Sequence, residues 1–312
     1  MVPPSTPATP VAKPVELASG ESSISCELDY AEHGDGEPLR RIDRRSLERA
    51  MRPCVEAGVV RLRYRGKVRG DFVALVDGVA ESAGKLGIGK RILDLHSSGG
   101  RVEDAIAAGD ALGDSGWTIW VREDAQCNSA CVLVLAAGDY RLISGSVGIH
   151  RVIRIGTSAD TRAELQQELG EVRGLIEQYL VRHGAATAIA DLMMTVPNRN
   201  LRRLSPGDLR RYGLDGVNAA QDDLDRLRLT RKCGEPFVRR ADAFHRAFDA
   251  ECKRPQRDLD AIYSCGMGLR QRFDFPDAGC PQDSPMRELD EPPSRATEPG
   301  GRRAQPRARP RP

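Results

Sequence analysis

Apolar residues between Val59 and Ile143 follow strand and helix periods in alternation. Val60, Leu62 and Tyr64 alternate with arginines, which predicts a half-exposed strand. Short apolar runs predict further strands at 92–95, 117–121 and 140–143. Apolar residues at helical spacing, or in one continuous run, predict intervening helices at 72–79, 102–112 and 132–138. Strands that alternate with helices pair in parallel through right-handed crossovers, so the pattern predicts an α/β fold.

Small and polar residues stand where several of these elements begin or end. Gly99-Gly100 follows the second predicted strand, Ser129 precedes the apolar run at 132–138, and His150 follows the last strand. Functional groups of parallel α/β sheets gather outside the carboxyl ends of the strands. The pattern therefore predicts that these residues share one edge of the sheet.

A serine, a histidine and paired glycines at such an edge are the residue types of acyl-transfer chemistry. A serine hydroxyl becomes a good nucleophile when an imidazole takes its proton, which assigns Ser129 as nucleophile and His150 as general base. The tetrahedral intermediate also needs backbone N–H donors aimed at its oxyanion. Glycines lack the Cβ that would block such an approach. We therefore expect N–H groups of Gly99 or Gly100 and of Ala130 to form the oxyanion hole.

At these residues the chain resembles the Clp-type serine proteases and, more broadly, the Clp/crotonase superfamily. Ser97-Ser98-Gly99-Gly100 stands where that family has Ser-Pro-Gly-Gly, Asn128-Ser129-Ala130 surrounds the nucleophile, and Gly148-Ile149-His150 carries the base. Residues 204–214 resemble the family's closing Leu-Ser and Tyr-Gly-Leu segments. The resemblance runs from about Val59 to Val217. It implies a parallel β-α-β spiral, peptidase activity and assembly into a homo-oligomer.

The family's third catalytic residue, an aspartate just before the Leu-Ser segment, has no match in this chain. Residues 198–203 read Asn-Arg-Asn-Leu-Arg-Arg. Asn200 can orient the imidazole, as asparagine does in Cys-His-Asn sites, or the serine and the histidine act as a dyad. Asp191 and Asp208 are alternatives displaced along the chain. A domain that has lost activity and only binds is the remaining alternative.

Composition divides the chain into five segments. They are a disordered leader or linker at 1–25, an N-terminal segment at 26–58, the Clp/crotonase-like α/β domain at 59–218, a cysteine-rich helical appendage at 222–282 and a disordered Pro/Arg tail at 283–312. The first and last segments have few residues that could build a core, which is why we expect them to be disordered. The expected architecture is thus an α/β domain followed by a small helical appendage.

Eight cysteines, an even number, are typical of proteins that mature in an oxidising compartment. The spacing of Cys233, Cys252, Cys265 and Cys280 lacks the Cys-x2-Cys pairs of common zinc modules, which favours disulfides among these four. Cys26 and Cys54 are a further candidate pair.

Cys127 and Cys131 flank Ser129 at two residues on either side. Four residues rise about 6 Å in a helix, a separation that a disulfide can bridge. A bridge there would fix the turn that presents the serine. Two small thiols that are buried and closely packed are the alternative.

Charge and hydropathy bear on the partners and the cellular location of the protein. A formal net charge of +2 at pH 7, with dispersed arginines, gives no reason to expect a nucleic-acid partner. No apolar run reaches the ~18 residues of a membrane span, and no signal-peptide core is visible. Together with the cysteines, this predicts a periplasmic or secreted protein whose signal or anchor is absent from this chain. A cytoplasmic protein is the alternative.

The favoured function is a serine peptidase that acts on a peptide or protein substrate without a metal or other cofactor. A crotonase-type acyl-CoA enzyme would use the same N–H groups to hold a thioester enolate. A non-catalytic binding or assembly module on the same fold is the third possibility.

Two further features have open roles. His96 either supports the site as a donor from behind or simply ends its strand. Apolar spacing predicts a long helix between Thr157 and His183, with Thr157 or Asp160 as its cap. The resemblance implies that this helix contacts neighbouring subunits, and the alternative is that it covers its own sheet.

Overall fold

The computed structural model describes residues 15–152, 157, 159–253 and 259–287. The chain forms two compact units, one up to Asp223 and one from Leu224 onward. The described strands are β1 (Val15–Glu16), β2 (Gly20–Ser25), β3 (Glu37–Leu39), β4 (Arg41–Ile42), β5 (Val59–Val68), β6 (Lys90–Gly100), β7 (Trp117–Val121), β8 (Gln126–Asn128), β9 (Tyr140–Ile143), β10 (Ser146–Ile149), β11 (Arg202–Arg203) and β12 (Gly216–Val217). All of them belong to the first unit.

Helices accompany the strands in the first unit and dominate the second. The described helices are α1 (Tyr30–His33), α2 (Arg44–Met51), α3 (Cys54–Ala57), α4 (Gly70–Lys85), α5 (Val102–Gly113), α6 (Cys131–Ala136), α7 (Arg162–Arg182), α8 (Ala188–Thr195), α9 (Pro206–Arg211), α10 (Ala219–Cys233), α11 (Glu235–Ala247) and α12 (Leu259–Arg272). A π-helical turn at Phe248–Cys252 and a 3-10 turn at Pro281–Asp283 complete the second unit.

The main sheet divides at β6. The first half of β6 pairs in parallel with β5 and β7, whereas Ser97 near its end pairs with Cys127 of β8. One branch continues through β7, β9 and β12, and the other through β8, β10 and β11. Strands β5, β6, β7 and β9 are mutually parallel, with α4, α5 and α6 between them in sequence. This order confirms the predicted α/β pattern. The second branch places the ends of β6, β8 and β10 side by side.

Apolar residues of β5, α4, α5 and α6 build the core of the first unit. All six residues of α6 are buried. A helix that is apolar on every side is stable only inside a protein, so the continuous run at 132–138 correctly predicted a buried helix.

Two of the three alternating arginines of β5, Arg61 and Arg63, are buried and Arg65 is exposed, so the prediction of a half-exposed strand was wrong over most of its length. Arg61 has no exposed surface and Arg63 is 6% exposed. Both contact the buried carboxylate of Asp94 on β6. Arg61 also donates to the carbonyls of Glu27 (3.0 Å) and Gly34 (2.6 Å). A buried charge is tolerated when it is paired and hydrogen-bonded. The alternation of apolar and polar residues along β5 could not reveal this pairing, because the carboxylate lies on another strand.

The predicted disordered leader at 1–25 also needs correction. Its residues 15–25 contain β1 and β2, and β2 pairs with β5 over six residue pairs. Serines supply four of the buried or half-buried side chains in this region; Ser23, for example, donates from Oγ to Asp35 O at 2.7 Å. Serines satisfied in this way carry no apolar period, which is why the strand was missed. Residues 1–14 lie outside the described part of the chain.

Helix α7 begins later than predicted. Thr161 caps it, because its side chain accepts the N–H of Glu164 while Glu164 accepts the N–H of Thr161. Neither Thr157 nor Asp160 is the cap. Tyr179 of α7 is fully buried and donates its hydroxyl to Leu133 O of α6 at 2.7 Å. The inner face of the helix therefore packs on its own unit, and its contact with neighbouring subunits stays a prediction.

Four disulfides confirm the predicted cysteine pairing. Cys26 bonds Cys54 and Cys127 bonds Cys131 in the first unit, and the other four cysteines pair as Cys233–Cys280 and Cys252–Cys265 in the second. Since Cys233 and Cys280 bond each other, their proximity to Asp283 does not make a metal site. Such a set of disulfides is suited to an oxidising, extracytoplasmic environment.

The second unit has a small core of its own. Phe237, Ala241 and Phe244 of α11 are buried, as the apolar spacing predicted. Ser284 is also buried and Met286 packs against this core, so order extends beyond the predicted start of the tail at residue 283. Residues 288–312 lie outside the described part. Among the helices that the structure describes, none is long and apolar enough to cross a membrane.

Candidate active site

Three parallel strands of the branched sheet end side by side. Strand β8 lies between β6 and β10, with Ser97 paired to Cys127 and Gly148 paired to Asn128. The residues that follow these strands, or close them, are Gly99-Gly100 on β6, Ser129 after β8 and His150 after β10. Neighbouring strands are about 4.8 Å apart. The serine therefore stands between the paired glycines and the histidine.

Ser129 has a left-handed backbone, with φ of 57°. Residues other than glycine rarely adopt positive φ, and such strained positions cluster at functional sites. The N–H of Ser129 donates to Gly148 O on β10 (2.8 Å), and its carbonyl accepts the N–H of Val132 in α6 (3.0 Å). These two bonds fix the turn from both sides, and the serine is 8% exposed.

The Cys127–Cys131 disulfide closes around the same turn. The two Cα atoms are 5.3 Å apart, and neither cysteine has exposed surface. Cys127 lies within β8 and Cys131 is the first residue of α6. The bond thus ties the strand before the serine to the helix after it.

Gly99 packs directly against the serine. Its φ is 103°, and a Cβ placed on it would lie 2.8 Å from both Ser129 Cβ and Asn128 O. Any side chain here would collide with the serine turn, so this position requires glycine. The Gly99 N–H already donates to Ser97 Oγ (3.1 Å), so it has an acceptor within its own strand.

The N–H groups of Gly100 and Ala130 are placed differently. Val68 of β5 pairs with Gly100, and the bond to Val68 O comes from the next residue, Arg101, at 3.0 Å. In a parallel ladder this pattern turns the N–H of Gly100 away from β5. The N–H of Ala130 has no hydrogen-bond acceptor among the residues that the structure describes. The role of all three N–H groups as oxyanion donors stays a prediction.

The imidazole ring of His150 is oriented by a main-chain contact. Nδ1 lies 2.9 Å from the carbonyl oxygen of Arg151. A carbonyl can only accept, so Nδ1 is the donor of this bond, and in the neutral tautomer that makes it Nε2 has the lone pair. That is the tautomer a general base needs. In the described part of the chain no hydrogen bond joins His150 to Ser129 Oγ; such bonds are often long in free enzymes and tighten when substrate binds.

The candidate third residues have other positions and partners. Asn200 is exposed, donates its N–H to Pro197 O (2.8 Å), and forms no hydrogen bond to the imidazole within the described residues. Asp191 accepts from Arg173 (2.9 Å). Asp208 accepts from Ser205 Oγ (2.9 Å) and completes the capping box of α9, whose N-cap is Ser205. Both carboxylates are therefore engaged away from the histidine.

His96 lies on the other face of β6 from Ser97 and Gly99, since successive strand residues alternate. It pairs across strands with Arg65. Burial, together with the charges of Arg65 and Arg63, lowers its pKa, which favours the neutral ring. This placement favours the interpretation of His96 as a strand residue over that of a donor to the site.

Sequence analysis did not identify three hydrogen-bond acceptors at the site. They are the carbonyl of Arg151 on the histidine, the carbonyl of Gly148 on the serine N–H, and the hydroxyl of Ser97 on the Gly99 N–H. Carbonyl groups occur at every residue, so only the register of β8 and β10 identifies them. Ser97 was visible only as part of the Ser-Ser-Gly-Gly motif.

The chain has only limited similarity to known proteins. No protein-family model matches the chain, and no curated protein sequence matches it. Partly similar solved structures include the 1510-N membrane-bound stomatin-specific protease as a serine-to-alanine mutant, at 18% identity and a TM-score of 0.41, covering 56% of this chain and 84% of that one. A lysine-to-alanine mutant of that protease in complex with a substrate peptide has 18% identity and a TM-score of 0.39, covering 50% and 72%. These values are too low to assign a family.

Proposed function

We propose that the protein is a serine peptidase with a Clp-like site, in which Ser129 is the nucleophile and His150 the general base. The observation that carries this proposal is the left-handed Ser129, held between the end of the glycine strand and the end of the histidine strand. A left-handed backbone at a residue other than glycine costs energy and is found mostly at functional sites. At Ser129 it places a hydroxyl at the point where three strands end.

The reaction follows from the placement of these groups. Nε2 of His150 takes the proton of Ser129 Oγ as the oxygen attacks the carbonyl carbon of the scissile peptide bond. The carbonyl oxygen becomes an oxyanion, which the N–H groups of Gly100 and Ala130 stabilise. His150 then gives the proton to the leaving amine. In the second half, His150 takes a proton from water as the water attacks the acyl carbon, the bond to Ser129 Oγ breaks, and the proton returns to Oγ as the carboxylic acid product leaves.

The histidine acts in a dyad with the serine, and its orienting partner is the carbonyl of Arg151. A carbonyl dipole fixes the tautomer but does not neutralise the imidazolium that forms during transfer. Asn200, the third residue expected from the sequence, has at most a minor role in this proposal because, within the described residues, it forms no hydrogen bond to the ring. A modest turnover rate is the natural consequence.

The finer assignments rest on the same features. A Clp/crotonase-like spiral is supported by the divided sheet and by the order of the glycine, serine and histidine strands. Export to the periplasm or secretion is supported by the four disulfides. Assembly into a homo-oligomer rests on the resemblance alone, and light scattering on the purified protein tests it.

A non-catalytic binding module remains the second candidate. The observations that favour it are the low exposure of Ser129 and the lack of a carboxylate on His150 among the described residues. Such a module would bind peptides with the same strand ends but would not cleave them.

Cleavage of an unstructured protein, such as fluorescently labelled casein, separates the two candidates. The peptidase proposal predicts fragments from the unmodified protein, with the rate reduced to background in Ser129→Ala and in His150→Ala. Ser98→Ala, an exposed serine two positions before Gly100, is the matched control and should keep full activity. Cleavage that survives in Ser129→Ala would show that another group or a contaminant is responsible.

A further inference from the structure

Four arginines lie beside the histidine of the proposed site. Arg151 follows His150 directly, and Arg199, Arg202 and Arg203 lie in strand β11 or just before it. Arg151 is half-buried and the other three are exposed. These four residues are called the arginine rim below.

The rim lies within reach of a peptide bound at Ser129. The antiparallel register places Arg203 opposite Gly148, and the carbonyl of Gly148 accepts the N–H of Ser129. Two strand spacings, about 10 Å, separate β11 from β8. A long arginine side chain on β11 can therefore meet substrate residues close to the scissile bond, though not the bond itself.

The positive charge of the rim is largely uncompensated. Residues 146–152 and 196–204 contain no aspartate or glutamate. Arg202 lies 3.8 Å from Asp208, a carboxylate that is already engaged in capping α9. The other three arginines have no carboxylate partner within the part of the chain that the structure describes.

Exposed arginines elsewhere in this unit often do have partners. Arg182 binds Asp110 at 2.8 Å, and Arg173 contacts Asp191 at 2.9 Å. The rim differs because its arginines are concentrated in two segments that meet at the histidine. A surface of this kind attracts carboxylates, since Arg donates several N–H groups in a planar arrangement that fits them.

We propose that the rim selects peptide segments with glutamate or aspartate close to the scissile bond. The proposal deepens the proposed function, because it assigns an acidic substrate class to the same site. Arg203, opposite Gly148, is the specificity-determining residue, and Arg202 adds positive charge from the other face of β11. Both act on binding rather than on the reacting atoms.

Peptide binding to a Ser129→Ala variant tests the rim without any need for catalysis. The probes are two fluorescein-labelled decapeptides that differ only in two central residues, glutamate in one and glutamine in the other, followed by fluorescence anisotropy at low salt. We expect the glutamate peptide to bind about fivefold more tightly, the size expected of exposed ion pairs. Adding Arg202→Gln and Arg203→Gln should abolish the difference. Arg210→Gln with Arg211→Gln, on neighbouring α9, removes the same charge and should preserve it.

Each outcome decides the proposal. Equal affinity for the two peptides, no binding of the glutamate peptide, or a preference that survives in the Arg202→Gln/Arg203→Gln variant overturns it. A preference lost equally in the α9 control also overturns it, because general charge attraction then suffices. Failure of the peptidase proposal is seen separately, as absence of casein cleavage by the unmodified protein.

Discussion

Ser129 and His150 follow neighbouring parallel strands, but the chain constrains them unequally. The serine turn is closed by its flanking disulfide, its N–H is held by Gly148 O, and Gly99 packs against its Cβ. Each constraint comes from a different part of the first unit, and together they maintain a backbone conformation that a serine would not adopt alone.

The histidine side is held by much less. Within the described residues, the imidazole of His150 has one hydrogen bond, to the carbonyl of the next residue. Asn200, in the segment that pairs alongside, is exposed. In the proposed site, the nucleophilic serine is therefore held by several contacts with the sheet, whereas the basic histidine is oriented by one main-chain contact. Changes around the serine should therefore matter more than changes around the histidine's expected third partner.

The largest effect of a change outside the serine and histidine themselves is expected at Gly99. In Gly99→Ala the new methyl would lie 2.8 Å from Ser129 Cβ, on a residue with φ of 103°. Because the turn must shift to accept it, we expect activity to fall about 100-fold, as when an oxyanion donor is removed. Gly170→Ala, at an exposed helix position with no atom near the added methyl, should be harmless. The comparison of casein cleavage rates checks both, and equal rates would mean that the serine turn tolerates displacement.

The disulfide around the serine should have the next largest effect. Cys127→Ala with Cys131→Ala opens a short loop, which costs about 2 kcal/mol of unfolding free energy by the chain-entropy estimate. Since the turn can then relax towards ordinary φ, we expect about tenfold slower cleavage, an effect of about 1.4 kcal/mol on the barrier.

The matched control is the Cys252–Cys265 disulfide of the second unit. Its loop is longer, so removing it should cost about 3 kcal/mol of stability, more than the first pair. It should nevertheless leave the cleavage rate unchanged below the melting temperature. If both double variants lose activity in proportion to stability, the disulfide at the serine has no specific positioning role.

The smallest effect is expected at Asn200. Because its side chain forms no hydrogen bond to the imidazole within the described residues, Asn200→Ala should change the cleavage rate by less than about threefold, well below the loss of about 10⁴-fold seen when the acid of a complete triad is altered. Asn200→Asp should leave activity unchanged or raise it, since a carboxylate near the ring would stabilise the imidazolium. A large loss in Asn200→Ala would instead restore asparagine as the third catalytic residue.

Much of this architecture was predictable because apolar periods mark long elements. The residues of α4, α5 and β7 carried such periods. Strands β8 and β10 have three and four residues, too few for a period to be visible. Yet their register is what places the serine beside the histidine.

Other features depend on contacts between distant segments. The buried arginines of β5 meet a carboxylate on β6, and β2 buries serines that find main-chain acceptors. The tautomer of His150 is set by a carbonyl, a group that every residue has. None of these leaves a pattern in one stretch of sequence, because each is decided by which segments the fold brings together.

The central claim is that Ser129 is an activated nucleophile, and covalent labelling measures this most directly. A fluorophosphonate probe should react with the folded, unmodified protein, and mass spectrometry of the digested adduct should place the probe on Ser129. Ser129→Ala and His150→Ala should remove the label, whereas Ser98→Ala should keep it. A folded protein that never reacts, or a label that persists in Ser129→Ala, would contradict the account.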